Sequence, residues 1–251
     1  MTPDNLYPNL SIEHISNPNR LYAIPLLGGL IKVIICIPLF IFTFFLAIGF
    51  LFLSLINSFV VLFTGSYWNT AYTFSLNFLR FQTKINFFFF GLTDRYPGFS
   101  FSAAGDFTFD IPKPTNPNRL LAIPLLGGFV RAILLIPYFV YVSILKNASG
   151  IAIAISSFVV LFKGRYPEST YELARDYTRI SLASSCYLIG LSDSYPNFWI
   201  SMNHKTIKII LITVSVLIVV GNFFSSVTSI TNKNAQKANP VNYQKSVSPK
   251  Y

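Results

Sequence analysis

The thirteen residues Asn-Pro-Asn-Arg-Leu-Tyr-Ala-Ile-Pro-Leu-Leu-Gly-Gly at 17–29 return at 116–128 with one exchange, Tyr22 for Leu121. The chain is a tandem duplication. The offset of 99 residues holds beyond this block: 59–63 matches 158–162, and Gly65, Arg80, Asp94, Tyr96, Pro97 and Phe99 match Gly164, Arg179, Asp193, Tyr195, Pro196 and Phe198. Whatever the first copy folds into, the second must be able to fold into as well.

Water is a poor solvent for such a unit. Hydrophobic residues make up 53% of the chain and charged ones 11%, under half of the roughly 25% charged residues of a soluble domain. Residues 28–63 carry one charge, Lys32, and residues 127–162 carry Arg131 and Lys146. Residues 206–227 are free of charge except Lys208, and at about 1.5 Å per residue they match the hydrocarbon thickness of a bilayer. The expectation is an all-α membrane protein in which tandem helical units are followed by a C-terminal transmembrane helix. The polar N-terminus lacks the basic-then-apolar order of a cleaved signal and is read as retained. Cys36 and Cys186 lie in apolar stretches, with Leu135 and Phe87 as repeat mates, and read as small buried hydrophobes.

The net charge of +10 does not point to nucleic acid, because the basic residues are scattered singly beside apolar segments. That placement suits anionic lipid headgroups, and Tyr67, Trp68, Tyr166, Tyr195 and Trp199 sit where an aromatic belt would.

Four parts are expected: membrane repeat 1 over 7–105, membrane repeat 2 over 106–200, the transmembrane helix over 204–228, and a polar, disordered tail over 229–251. Each repeat opens on a short alternating segment, 9–13 or 107–111, read as an extramembrane strand, and 96–102 reads as a third. Asn19 and Asn118 read as helix caps. A straight helix over 28–63 would run about 54 Å against a core of about 30 Å. The prolines at 38 and 137 therefore predict an elbow, with an interfacial helix over 20–36 feeding a span over 37–62, and likewise in copy two. Helices over 71–92 and 170–191 follow. If they cross, the chain has five spans, which is the favoured reading; if they lie flat, it has three.

The order of Asn-Arg-Leu, Ile-Pro, then Phe-Val-Val-Leu-Phe-Lys-Gly-Arg-Tyr-Pro at 158–167 and Leu-Ser-Asp-Ser-Tyr-Pro-Asn-Phe at 191–198 resembles a bacterial membrane family catalogued only as a domain of unknown function. The resemblance covers both copies. In copy one the first signature is reduced to Thr64-Gly65-Ser66-Tyr67-Trp68, so Arg165 and Pro167 stand alone in it. The resemblance implies a membrane protein of the bacterial inner membrane, multi-pass, and brings no activity.

Seven residues stand out as polar intramembrane or interaction candidates. Arg80 and Arg179 lie in or beside apolar helices, where a cation must be paired or reach headgroups. Glu172 and Asp176 accompany Arg179 at helical spacing, as a salt-bridged or docking face. Asp94 and Asp193 precede Tyr-Pro and are expected to cap the following turn or meet Arg20 or Arg119. Lys146 falls near mid-membrane, as a functional residue or as the mark of a helix break. His14 and His204 lack partners at ligand spacing, and no phosphate-binding glycine motif occurs, so neither an enzyme nor a cofactor or metal is expected. Repeat symmetry without a catalytic cluster reads as a membrane scaffold or accessory subunit working with other membrane subunits. The alternative is a small transporter or lipid-handling protein with its site between the repeats, which predicts that Arg80, Arg179 or Lys146 faces a cavity.

Overall fold

A computed structural model describes residues 9–12, 15, 17–101, 107–198 and 205–238. Strand β1 (Asn9–Ile12) is followed by the one-turn helix α1 (Arg20–Ala23), the long helix α2 (Leu27–Thr64) and its return α3 (Asn69–Phe89). Copy two repeats the order with β2 (Phe107–Asp110), a 3-10 turn (Leu120–Ala122), α4 (Leu126–Leu134), α5 (Ile136–Lys163) and α6 (Glu168–Leu188). Helix α7 (Lys205–Ala238) closes the chain.

Each start is set by local chemistry. The Asn19 side chain accepts the Leu21 amide at 3.0 Å and Asn118 does the same for Leu120, as expected of caps. Pro25 and Pro124 then stop the first turn. The chain reverses through Leu26 and Leu125 at φ 64° and 63°, with Leu27 and Leu126 amides donating back to the proline carbonyls at 2.7 Å. This turn presses α2 so close to α1 that a Cβ on Gly28 would strike the Tyr22 carbonyl; Gly127 stands in the same relation to Leu121. Gly65 and Gly164, at φ 70° and 68°, end α2 and α5 in the left-handed conformation.

An interruption marks the expected elbow in one copy only. In copy two Leu135, at φ −82° and ψ −4°, separates α4 from α5 two residues ahead of Pro137, at the predicted joint, and still donates to the Arg131 carbonyl at 3.0 Å. In copy one α2 runs unbroken through Pro38 for 38 residues. Helix α5 also continues through Lys146, so the break entertained there does not occur. The segment 96–101 forms no strand and instead packs Phe99 and Phe101 around Phe42. Helix α7 extends to Ala238, past the end at 228 predicted from polarity, so the first ten residues of the expected disordered tail are helical. The rest of the tail, residues 7–8, His14, Trp199 and His204 lie outside the described residues.

Among the described residues three helices are long and apolar enough to cross a membrane, within Leu27–Thr64, Ile136–Lys163 and Lys208–Asn232. Helices α3 and α6 are not among them, which removes the ground for five spans. Both are packed inside the protein: Cys36, Leu39, Phe81, Ile85 and Phe88 seal α2 to α3, and Leu135, Tyr138, Leu145, Leu173, Ile180 and Leu211 join α5, α6 and α7. Their opposite faces meet the strands in a cluster drawn from both copies, including Leu10, Tyr72, Leu79, Phe109, Tyr171 and Leu182. Both cysteines are free and buried in these apolar clusters, as read from sequence.

The two copies interlock about a local two-fold. Strands β1 and β2 pair antiparallel with Leu10 opposite Phe109, and these two are repeat mates, so the symmetry axis passes between them. Hydrogen bonds cross over in the same mirrored way: the Tyr72 hydroxyl donates to the Ile111 carbonyl and Tyr171 to Ile12, each at 2.5 Å.

Candidate functional site: two mated cavities between the repeats

Interlocking brings the end of each long helix against the beginning of the other copy. The Arg119 guanidinium lies against Gly65, and that of Arg20 against Gly164. Behind each contact is an open cavity built by both copies. The first, of about 220 Å³, is walled by Asn19, Tyr22, Gly29, Lys32, Gly91 and Asp94 from copy one and by Ile153, Ser157, Val160 and Tyr166 from copy two. The second, of about 280 Å³, is its mate: Asn118, Leu121, Gly128, Arg131 and Gly190 from copy two face Ser54, Ser58, Val61 and Tyr67 from copy one.

Each cavity has a buried cation on its wall. Lys32 is 4% exposed and Arg131 3%. Burial of a charge is costly unless hydrogen bonds or an opposite charge replace water. Arg131 has these: it donates to the Tyr187 carbonyl at 2.7 Å and the Ser192 carbonyl at 2.9 Å, pairs with Asp193, and lies 5.1 Å from the centre of the Tyr187 ring. Lys32 forms no hydrogen bond or ion pair among the described residues. Its ammonium rests over two rings, 5.5 Å from Tyr22 and 5.4 Å from Phe88. Asp94, on the same wall, accepts the Asn19 amide at 2.5 Å.

The tyrosines reaching in from the other copy are kept protonated by burial, which pushes the phenols of both Tyr67 and Tyr166 well above the ordinary range; Asp193 adds to the effect at Tyr67. Tyr166 donates to the Phe90 carbonyl at 3.3 Å. These two side chains are therefore cavity walls and not belt anchors, unlike the more exposed Trp68 and Tyr195.

The residues singled out from sequence are distributed differently. Asp94 and Asp193 accept the amides of Asn19 and Asn118, 75 residues upstream and not in the turn that follows them as expected, and the basic partner of Asp193 is Arg131 and not Arg119. Arg80 serves the sheet: its Nε donates to Phe109 at 2.9 Å, Nη1 donates to Asn77 at 3.2 Å and Nη2 lies 3.7 Å from Asp110. The polar stripe of α3 thus faces protein, with Lys84 donating to the Ser100 carbonyl at 2.9 Å. Asp176 is buried against Arg175 at 3.4 Å on α6, with Glu172 and Arg179 half-buried beside it. Lys146 is exposed on α5. None of Arg80, Arg179 and Lys146 lines either composite cavity; Lys32 and Arg131 do. The signal for these two was present in sequence, since they are repeat mates and both basic, but most of the residues that surround them lie far along the chain, about 60 and 130 positions from Lys32 and about 60 to 75 from Arg131.

The family model described as Domain of unknown function (DUF4389) matches the chain twice, over residues 28–101 and 127–200. No curated protein and no solved structure matches it.

Proposed function

The chain belongs to this family of unknown function, two copies in tandem, and from that premise we propose that it is a bacterial inner-membrane protein that binds an anionic amphiphile between its repeats, its copy-one cavity taking the headgroup. The observation that carries this reading is the contrast at the mated cations: Arg131 donates to two carbonyls and pairs with Asp193, whereas Lys32, with Asp94 as its nearest opposite charge, lies over two aromatic faces beside an open cavity and forms no hydrogen bond among the described residues. A phosphate or carboxylate there would supply the missing acceptor, a charge-assisted contact of about 1.5–3 kcal/mol. Ser157 and the protonated Tyr166 stand on the same wall. At about 220 Å³ the space falls below the ~300–1,000 Å³ of pockets that enclose drug-sized ligands, so it suits a headgroup whose chains remain outside.

The test is retention of lipid. Full-length protein purified in neutral detergent should hold phosphatidylglycerol in preference to phosphatidylcholine, and K32M should lower that affinity roughly tenfold. Equal retention of the two lipids by the parent chain would refute the reading. The scaffold or accessory-subunit reading keeps one specific support: among the described residues the two-stranded sheet has unpaired outer edges, to which a partner's strand could add.

A further inference from the structure

The axis of the duplication says how the molecule sits in the bilayer. Because the α2 end at Gly65 abuts Arg119 while the α5 end at Gly164 abuts Arg20, the two hairpins run in opposite directions about the two-fold. The axis is therefore perpendicular to the long helices, and the sheet on it lies halfway along them. Arg80, near the middle of α3, donates to the sheet at Phe109.

Suppose α2 and α5 crossed the membrane. The sheet would then sit at mid-bilayer, with Ser11 and Thr108 exposed, the Asp110 side chain 74% exposed, and strand edges unpaired among the described residues. Hydrocarbon can satisfy none of these groups. Exposed Lys146 would also lie only about 5 Å from the midpoint of α5.

We infer that α2 and α4–α5 lie along the membrane plane, their exposed apolar faces sunk into one leaflet, with the β1–β2 sheet facing water. The layers of the fold are ordered for this seat. Helices α3 and α6 separate the apolar helices from the strands, and Arg80 of α3 and Tyr171 of α6 hydrogen-bond to β2 and β1. Along α2 the exposed face is apolar from Leu27 to Phe63 (Leu30, Ile34, Ile41, Phe45, Phe52 and Phe59 among others), and its one charge, Lys32, is buried. That stripe is about 54 Å long, which overruns a bilayer core of about 30 Å when upright and fits without limit when flat. Lys146 can then snorkel from the flank of α5 to headgroups. Helix α7, apolar and exposed on most sides from Ile209 to Ile230, is the helix left to cross.

The repeat mates Ser66 and Arg165 are both exposed and mark the two far ends of the interlocked pair. Full-length S66C, R165C and T108C variants are expressed in a bacterial inner membrane and treated with membrane-impermeant maleimide, from outside in spheroplasts and from inside in inverted vesicles. The parent chain, with only the buried Cys36 and Cys186, sets the background. All three new thiols should react from the same side. Reaction of S66C and R165C from opposite sides overturns the inference, and so does protection of any of the three from both sides. Polarised infrared spectroscopy of the unsubstituted chain in oriented bilayers gives an answer independent of any variant: helix axes averaging in the membrane plane support the flat seat, and axes averaging along the normal defeat it.

Discussion

Lys32 and Arg131 occupy one position of a repeated unit, yet their surroundings have moved apart. In copy two the guanidinium is fastened by two carbonyls and Asp193; in copy one the ammonium makes no hydrogen bond among the described residues and rests over two aromatic faces beside a cavity, with Asp94 on the same wall. The backbone setting is the same in both, down to the reversed leucine, the aspartate that accepts the asparagine amide and the tyrosine sent in by the other copy. The difference therefore lies in the side chain that Arg or Lys presents. A planar fork of five donors can reach several acceptors at once, while a compact ammonium set among rings keeps its charge available. Arg131 braces the wall of its cavity, whereas Lys32 leaves its own free for the occupant proposed above.

The sharpest test of that contrast is the pair R131M and K32M, read as unfolding in a fixed detergent. R131M strands the Asp193 carboxylate and two carbonyls, and should cost about 3–5 kcal/mol. K32M removes a buried cation that makes no hydrogen bond or close ion pair among the described residues, and should leave stability within about 1 kcal/mol of the parent or above it, while weakening anionic-lipid retention. Equal destabilisation by the two would erase the distinction. Next in size, G28A and G127A each drive a Cβ into a backbone carbonyl. Both should destabilise by about 1–3 kcal/mol and by similar amounts, because the close approach is common to the copies; a large difference would show that the symmetry ends sooner than the backbone indicates.

A smaller effect is expected where the copies exchange hydrogen bonds. Y72F and Y171F each delete one bond to the opposite strand and should cost about 1 kcal/mol in equilibrium unfolding. The Tyr72 phenol is pushed up to about 12 in the fold, chiefly by burial and then by Asp110. A raised folded value means stability that is complete below the ordinary tyrosine range and is lost as pH rises from about 10 through 12. Alkaline unfolding should accordingly shift less steeply in Y72F than in the parent; identical profiles would show that this phenol does not report the interface.

Much of the architecture was legible before any coordinates. The duplication, both strands, the asparagine caps and the apolar helices follow from local pattern, since each depends on neighbours within a few residues. Pro38 shows the limit: the same proline follows a break in copy two and is absorbed in copy one, a difference that local sequence does not decide. The candidate site was read less well. Arg80 and Arg179 drew attention for standing in apolar helices, but the stripe containing Arg80 turns toward strands that sequence alone could not place over it. Lys32 looked like a charge at the margin of a span because the walls of its cavity come from the far end of the other copy. Symmetry of the sequence was visible, whereas the direction of its axis was not, and that direction decides what meets what.

The pairing of Leu10 with Phe109 has one more consequence. A polypeptide containing a single copy would carry a strand whose natural complement is itself, with half a cavity at each end of its hairpin. Such a half-length chain should assemble as a homodimer with both cavities alike, and the full chain cut in its linker should survive as two fragments that stay married. Fusing the halves into one gene is what permits the two ends to acquire separate employment.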